Sequence, residues 1–132
     1  MLLLPLLVAL IPAVSHARIG ETLDECIARY GPMLEIKNAT GKFFSEYPQY
    51  RFSFSGTVIH VRFLNGRSTQ EEFYDSYSLD SRKREEIVAG NSKKTTGIDV
   101  IVENEYSGGG GKVTITTKDF KKLIDAEKGA GF

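Results

Sequence analysis

The chain has 132 residues, with 17 basic and 17 acidic side chains, two histidines, one cysteine and no tryptophan. This length fits a single domain. The formal net charge of zero argues against a dedicated nucleic-acid-binding protein, because such proteins usually carry a basic excess that neutralises phosphates.

Residues 1–17 predict a signal peptide. An apolar run from Leu2 to Ile11 is followed by Pro12 and by small residues that end at Ala17, which is typical of signal-peptidase cleavage after Ala17. The run is shorter than the roughly 20 residues that a membrane span needs. No Lys or Arg precedes it, which leaves open whether the start codon lies upstream. We therefore expect an exported protein, periplasmic or secreted, with one domain at 18–132 and no membrane span after cleavage.

The first element of the mature chain is a predicted helix over roughly 23–30. It begins with a capping box formed by Thr22 and Glu25, and Gly31-Pro32 ends it. Helical spacing places Cys26 on an apolar stripe, so we expect a buried structural thiol. As the lone cysteine of an exported chain, it has no partner for an internal disulfide.

Two alternating segments then predict a β-hairpin around Ser55-Gly56. A two-residue loop there places Phe52 opposite Ile59 on one apolar face, and Arg51 beside His60 on the other face. The alternation in both strands predicts the same buried face.

The register of the next strand, 68–74, stays open. Asn65-Gly66 is a strong turn signal, but a two-residue loop pairs Ile59 with Glu72 and so places a carboxylate on the apolar face. A longer loop, a β-bulge or a polar edge strand are the three alternatives.

The second half of the chain contains a predicted helix over 78–89, a strand near 98–102, a strand from Val113 and a closing helix after 117. The glycine-rich stretch at 107–111 lacks the P-loop pattern and predicts a hairpin connection rather than a phosphate-binding loop. This order predicts an α+β fold: an antiparallel β-sheet packed by N-terminal, central and C-terminal helices.

Few residues offer recognisable catalytic chemistry. His60 is the only histidine outside 1–17, and one His with one Cys is too few for a typical zinc site. The common calcium-loop pattern is also missing. We therefore predict a protein that is not an enzyme and that has no cofactor or metal, with a small hydrolase using His60 as one alternative.

Aromatic and basic side chains on one sheet face form the candidate binding surface. Tyr and Arg are enriched at the energetic centres of protein interfaces. The competing interpretation is that these are ordinary amphipathic residues that cover a small core. The candidate binding residues are Arg51, His60, Arg62, Tyr74 and Tyr77.

The opening of the mature chain resembles a known group of proteins. Residues 20–32, which read GETLDECIARYGP, resemble the opening of small exported bacterial proteins of unknown function. They are more distantly similar to the Gly-x-Thr, helix, Gly-x-Pro opening of outer-membrane assembly lipoprotein and beta-lactamase-inhibitor-like domains. The hairpins between 50 and 67 look like the strand, strand and turn-with-Gly succession of those domains. The resemblance covers roughly 18–75 and implies a small sheet-and-helix module that binds other proteins.

The chain departs from these lipoproteins because it has no lipobox cysteine, so membrane anchoring is not implied, and no functional residue is carried over. The sequence as a whole predicts a non-catalytic, exported bacterial binding or interaction domain. Its expected partner is another envelope or extracellular protein, and no nucleic acid is expected. An inhibitor of a secreted enzyme is the second alternative.

Overall fold

The computed structural model describes residues 18–37, 43–75, 81–107 and 110–129. The predicted signal peptide and Tyr77 lie outside these residues. In the described part of the chain, no helix is both long enough and apolar enough to cross a membrane.

The described residues form an antiparallel α+β fold, as predicted. The strands are β1 (Glu35–Lys37), β2 (Gln49–Phe54), β3 (Thr57–Leu64), β4 (Arg67–Asp75), β5 (Val100–Ser107) and β6 (Gly110–Thr117). The helices are α1 (Leu23–Tyr30), α2 (Ser81–Gly90), α3 (Lys93–Thr96) and α4 (Lys118–Gly129), with a short 3-10 helix at Phe44–Glu46. The six strands make one sheet in the order β1-β2-β3-β4-β6-β5.

Helix α1 confirms the prediction from its capping box. The Thr22 hydroxyl accepts a hydrogen bond from the Glu25 amide at 3.2 Å, and the Glu25 carboxylate accepts from the Thr22 amide at 2.9 Å. Gly31 ends the helix with a φ of 94°, which favours glycine. Cys26 and Tyr30 are buried, as the apolar stripe requires.

The hairpin of β2 and β3 also has the predicted register. Phe52 lies opposite Ile59, and Arg51 lies opposite His60. Ser55 and Gly56 form the turn with φ values of 52° and 83°. The side chains therefore alternate between a buried apolar face and a polar face.

A β-bulge resolves the register of β4. The turn at Asn65-Gly66 has two residues, but Phe63 pairs with Ser68 while Arg62 pairs with Gln70, which leaves Thr69 as the extra residue. Two alternatives from the sequence are wrong, because the loop is not longer and β4 lies inside the sheet between β3 and β6.

The bulge changes which residues of β4 face the core. One extra residue moves the following side chains to the opposite face, so Phe73 joins Ile59 on the apolar face and Glu72 faces His60 on the polar face. The bulge does not keep every carboxyl group out of the core, because Glu71 then lies opposite Val61 on the apolar face.

The main core lies between the apolar face of the sheet and helices α1 and α2. Its buried members from the strands are Phe52, Ile59, Val61, Phe73, Val113 and Ile115. Ile19, which precedes α1, Cys26 and Tyr30 of α1, and Ile87 of α2 are its other buried members. Burial of this apolar surface is the dominant stabilising contribution to a small domain.

A second, smaller aromatic cluster covers one end of the polar face. Phe120 of α4 is fully buried and contacts Phe43 and Tyr47 at ring-centroid distances of 6.0 and 5.2 Å. The Arg62 guanidinium lies 4.6 Å from the centre of the Phe44 ring in a cation–π contact. The remaining half of the polar face carries the candidate site.

Candidate functional site

The open half of the polar face contains a cleft of about 450 Å³. Neighbouring strands arrange the side chains of this part of the face in rows. Arg51, His60, Glu72 and Thr114 lie side by side across β2, β3, β4 and β6, and Tyr74 and Lys112 are paired in the next row. The lining residues are Lys37, Gln49, His60, Glu72, Tyr74, Asp75, Glu105, Gly111 and Lys112.

Glu72 is the centre of the interactions in this cleft. Its Oε1 accepts a hydrogen bond from Gln49 Nε2 at 2.9 Å and lies 3.7 Å from His60 Nδ1. Its Oε2 lies 3.6 Å from Lys112 Nζ. Three side chains from three strands therefore hold one carboxylate.

These partners keep Glu72 ionised. Burial by itself opposes the charge, but the His60 ring, the Lys112 ammonium and the Gln49 amide outweigh it and lower the pKa of Glu72 to about 2. The cleft therefore contains a fixed negative charge at neutral pH.

His60 and Tyr74 both line the cleft and contact each other. The Tyr74 hydroxyl lies 3.0 Å from Nε2 and 3.3 Å from Nδ1 of the His60 ring, and the two rings meet edge to face. Burial, followed by the nearby Glu72 charge, raises the pKa of Tyr74. The hydroxyl is thus protonated and serves as a hydrogen-bonding group.

Charges of both signs surround the cleft. Lys112 lies between Glu72 and Glu105, with its Nζ 3.7 Å from Glu105 Oε1. Arg51 pairs with Glu35 at 3.0 Å beside the cleft. The face is therefore mixed in charge, and the expectation of an aromatic and basic surface describes it only in part.

Arg62 does not belong to the cleft. It is buried, its Nε donates to Gln70 Oε1 at 3.0 Å, and its Nη1 donates to the Tyr47 carbonyl. The exposure expected from the sequence is wrong for this residue, because the chain around the 3-10 helix folds over its guanidinium. The contacts of Arg62 hold the segment around the 3-10 helix against the sheet.

The structure therefore brings together three of the predicted binding residues, Arg51, His60 and Tyr74, although His60 is buried rather than exposed. Three partners were missed by the sequence reasoning: Gln49, Glu72 and Lys112. Alternation with Tyr50 could have placed Gln49 on the polar face. The other two depend on the bulge at Thr69 and on the pairing of β4 with β6.

A second unusual carboxylate lies on the opposite face of the same strand. Glu71 is fully buried, and among the described residues neither of its oxygens has a hydrogen-bond partner. The neighbouring Ser68 hydroxyl donates instead to the Arg18 carbonyl. Burial raises the pKa of Glu71 to about 8, and the same burial raises the pKa of the Cys26 thiol.

The thiol and the buried carboxyl group are thus both neutral at pH 7 and closed to solvent. Within the described ranges, no group of three or more His, Cys, Asp or Glu side chains could hold a metal ion. No protein family, curated protein or solved structure was found to match the chain.

Proposed function

We propose that the protein is a non-catalytic binding domain of the bacterial periplasm or extracellular space. Its cleft accepts a polar segment of another envelope or extracellular protein. The signal-like segment at 1–17 supports the compartment. The charge network around Glu72 is the observation that carries the proposed binding role.

This network is suited to recognition because it is organised before a partner arrives. Glu72, Gln49 and Lys112 come from three strands of one sheet, so their positions are fixed by the backbone pairing. Binding of a partner then costs little conformational entropy, because the side chains of the site are already ordered. The mixture of donors, acceptors and both signs of charge matches a polar protein segment rather than an apolar one.

The protonation states of the cleft support a binding role over acid–base catalysis. A general acid or base works best when its pKa is close to the working pH. The pKa of Glu72 is about 2, and the pKa of Tyr74 is raised above its ordinary value. Neither group is therefore ready to exchange a proton near neutral pH.

Site-specific photo-cross-linking tests the binding role. A photo-cross-linking amino acid in place of Glu105, which is 65% exposed at the rim of the cleft, should capture a distinct envelope protein in living cells. The matched control replaces Glu85, an exposed glutamate of α2. Glu72→Gln in the Glu105-labelled protein should abolish the captured species.

Equal capture at Glu85 and Glu105, or capture that survives Glu72→Gln, would contradict the proposed use of the cleft. Isolation of a secreted enzyme as the captured partner, with its activity blocked by the purified protein, would support the narrower inhibitor hypothesis.

The second candidate function is a small hydrolase that uses His60. The order Tyr74 hydroxyl, His60 ring, Glu72 carboxylate, with separations of 3.0 and 3.7 Å, favours it because a hydroxyl, an imidazole and a carboxylate in that order form a nucleophilic relay. His60→Ala should then abolish any hydrolysis detected across esters, amides and glycosides. Wild-type activity no greater than that of His60→Ala across this panel would reject the candidate.

A further inference from the structure

Strand β1 forms one edge of the sheet and carries exposed apolar side chains. Ile36 is 47% exposed, and Leu34, which immediately precedes the strand, is 55% exposed. In the described part of the chain, no strand lies beyond β1. A strand at the edge of a sheet offers backbone N–H and C=O groups to another strand.

The three residues of β1 are complementary to those of a second, antiparallel copy of β1. In an antiparallel pair centred on Ile36, Glu35 of one strand lies opposite Lys37 of the other, and the same pair recurs across the twofold axis. Ile36 then meets its own copy. Glu35, whose side chain is 52% exposed, is already partnered by Arg51, whereas Lys37 has no ion pair among the described residues.

We propose that a second copy of this chain adds its β1 to this edge. The result is a dimer with twofold symmetry and a continuous antiparallel sheet, in which two Glu35 to Lys37 pairs flank an Ile36 contact. Such an interface is isologous, since the same surface is used by both copies. The apolar Ile36 side chains are removed from water, and the free strand edge is covered.

The dimer has a consequence for the cleft. Residues directly opposite each other in an antiparallel pair project from the same face of the sheet. The clefts of the two copies therefore open on the same side, with Lys37 of each copy between a cleft and the twofold axis. A partner that displays two binding segments would be held by both copies at once.

Charge exchange tests the pairing. Sedimentation of the purified protein over a wide concentration range should show a reversible monomer–dimer equilibrium. Lys37→Glu places Glu opposite Glu at two positions and should raise the dimer Kd by about tenfold. Glu35→Lys should act in the same direction. The double exchange, Glu35→Lys with Lys37→Glu, restores opposite charges across the interface and should return the Kd close to that of the wild type.

The double exchange is decisive because it does not restore the internal pair with Arg51. Lys94→Glu, the same charge change at an exposed lysine of α3, serves as the matched control and should leave the Kd unchanged. Thermal melting by circular dichroism verifies that each variant is folded. A wild-type protein that is monomeric at all concentrations, or a double variant that is no tighter than the single ones, would overturn the proposal. Either result would leave the photo-cross-linking test of the cleft unaffected.

Discussion

Two adjacent glutamates on β4 lie on opposite faces of the sheet and have opposite surroundings. Glu71 faces the apolar core, is 0% exposed and has a pKa raised to about 8. Glu72 faces the polar cleft, contacts three partners and has a pKa lowered to about 2. Neighbours in sequence thus differ in charge at neutral pH, because burial dominates at one position and pairing at the other.

The two faces of the sheet therefore have different roles. The apolar face supplies stability through its contacts with α1 and α2, and it contains the carboxyl group of Glu71, whose burial opposes folding once the pH favours ionisation. The polar face contains a charge that is stabilised in place and open to a cleft. The features that reduce stability and those that favour binding therefore lie on different faces of one strand.

The register set by the bulge at Thr69 creates this separation, and shifting that register should have the largest effect. Insertion of one alanine between Gln70 and Glu71 moves the later residues of β4 by one position, which places Glu72 opposite Ile59 in the core. Because an ionised carboxylate would then be buried and Phe73 would leave the core, we expect a loss of about 5 kcal/mol or more in the free energy of unfolding. Urea denaturation measures the loss.

Deletion of Thr69 is the control for this insertion. It removes only the extra residue, so His60 still lies opposite Glu72, and with the loss of the hydroxyl contact with Thr117 it should cost about 1 to 2 kcal/mol. Similar losses for the insertion and the deletion would contradict the role of the register in deciding which residues of β4 face the core.

The pH dependence of stability tests Glu71. Its folded pKa of about 8 lies above the unfolded value of 4.5, so the folded protein binds a proton that the unfolded chain releases between these values. The contribution of this proton to the free energy of unfolding is fully present below pH 4.5, falls as the pH rises and is lost above about pH 8. The total change is up to about 5 kcal/mol.

Glu71→Met removes this dependence. The thioether fills a similar volume without a titratable or unpaired polar group, so the variant should be more stable than the wild type at both pH 7 and pH 4, and the gain should be about 2 to 3 kcal/mol larger at pH 7. Urea denaturation at the two pH values makes the comparison. Equal destabilisation at both pH values would mean that the carboxyl group has a favourable partner in the core.

Glu72 should show the opposite pH dependence. Its folded pKa of about 2 lies below the unfolded value of 4.5, so its contribution is present above pH 4.5 and is lost as the pH falls toward 2. Glu72→Gln should cost about 1 to 2 kcal/mol at pH 7, since the carboxylate is partly screened by solvent, and less near pH 3. A Glu72→Gln protein as stable as the wild type at pH 7 would show that the network does not stabilise the charge.

Tyr74→Phe should have the smallest effect. It removes only the hydroxyl that contacts His60, on a side chain that is partly exposed, and should cost about 1 kcal/mol or less. Thermal unfolding monitored by circular dichroism is sufficient to detect it. A loss several times larger would mean that the hydroxyl orders the whole cleft.

The sequence predicted the elements that depend on neighbouring residues. The capping box of Thr22 and Glu25 specifies α1 locally, and alternation around Ser55-Gly56 specifies both faces of the first hairpin. The register of β4 could not be predicted in this way, because the bulge at Thr69 is favoured by burial of Phe73 and by pairing with β6 rather than by any signal in the turn itself.

The cleft was only partly predictable for the same reason. Arg51 and His60 follow from alternation on their own strands, but Tyr74 lies on the polar face only because of the bulge, as Glu72 does. Lys112 reaches Glu72 only because β6 pairs with β4 from a distant part of the chain. Arg62 shares the alternation of His60, yet the segment around the 3-10 helix covers it. Whether a side chain on a correct face is open or covered is decided by such long-range packing.

Titration of the glutamate side-chain carboxyl carbons by NMR compares the two faces within one experiment, with Glu71→Gln and Glu72→Gln used to assign the signals. The structure predicts that Glu71 titrates near pH 8 and that Glu72 stays ionised throughout the acid range in which the protein is folded. If both carboxyl groups titrate near the ordinary value of 4.5, the division between a neutral core carboxyl and a charged cleft is wrong.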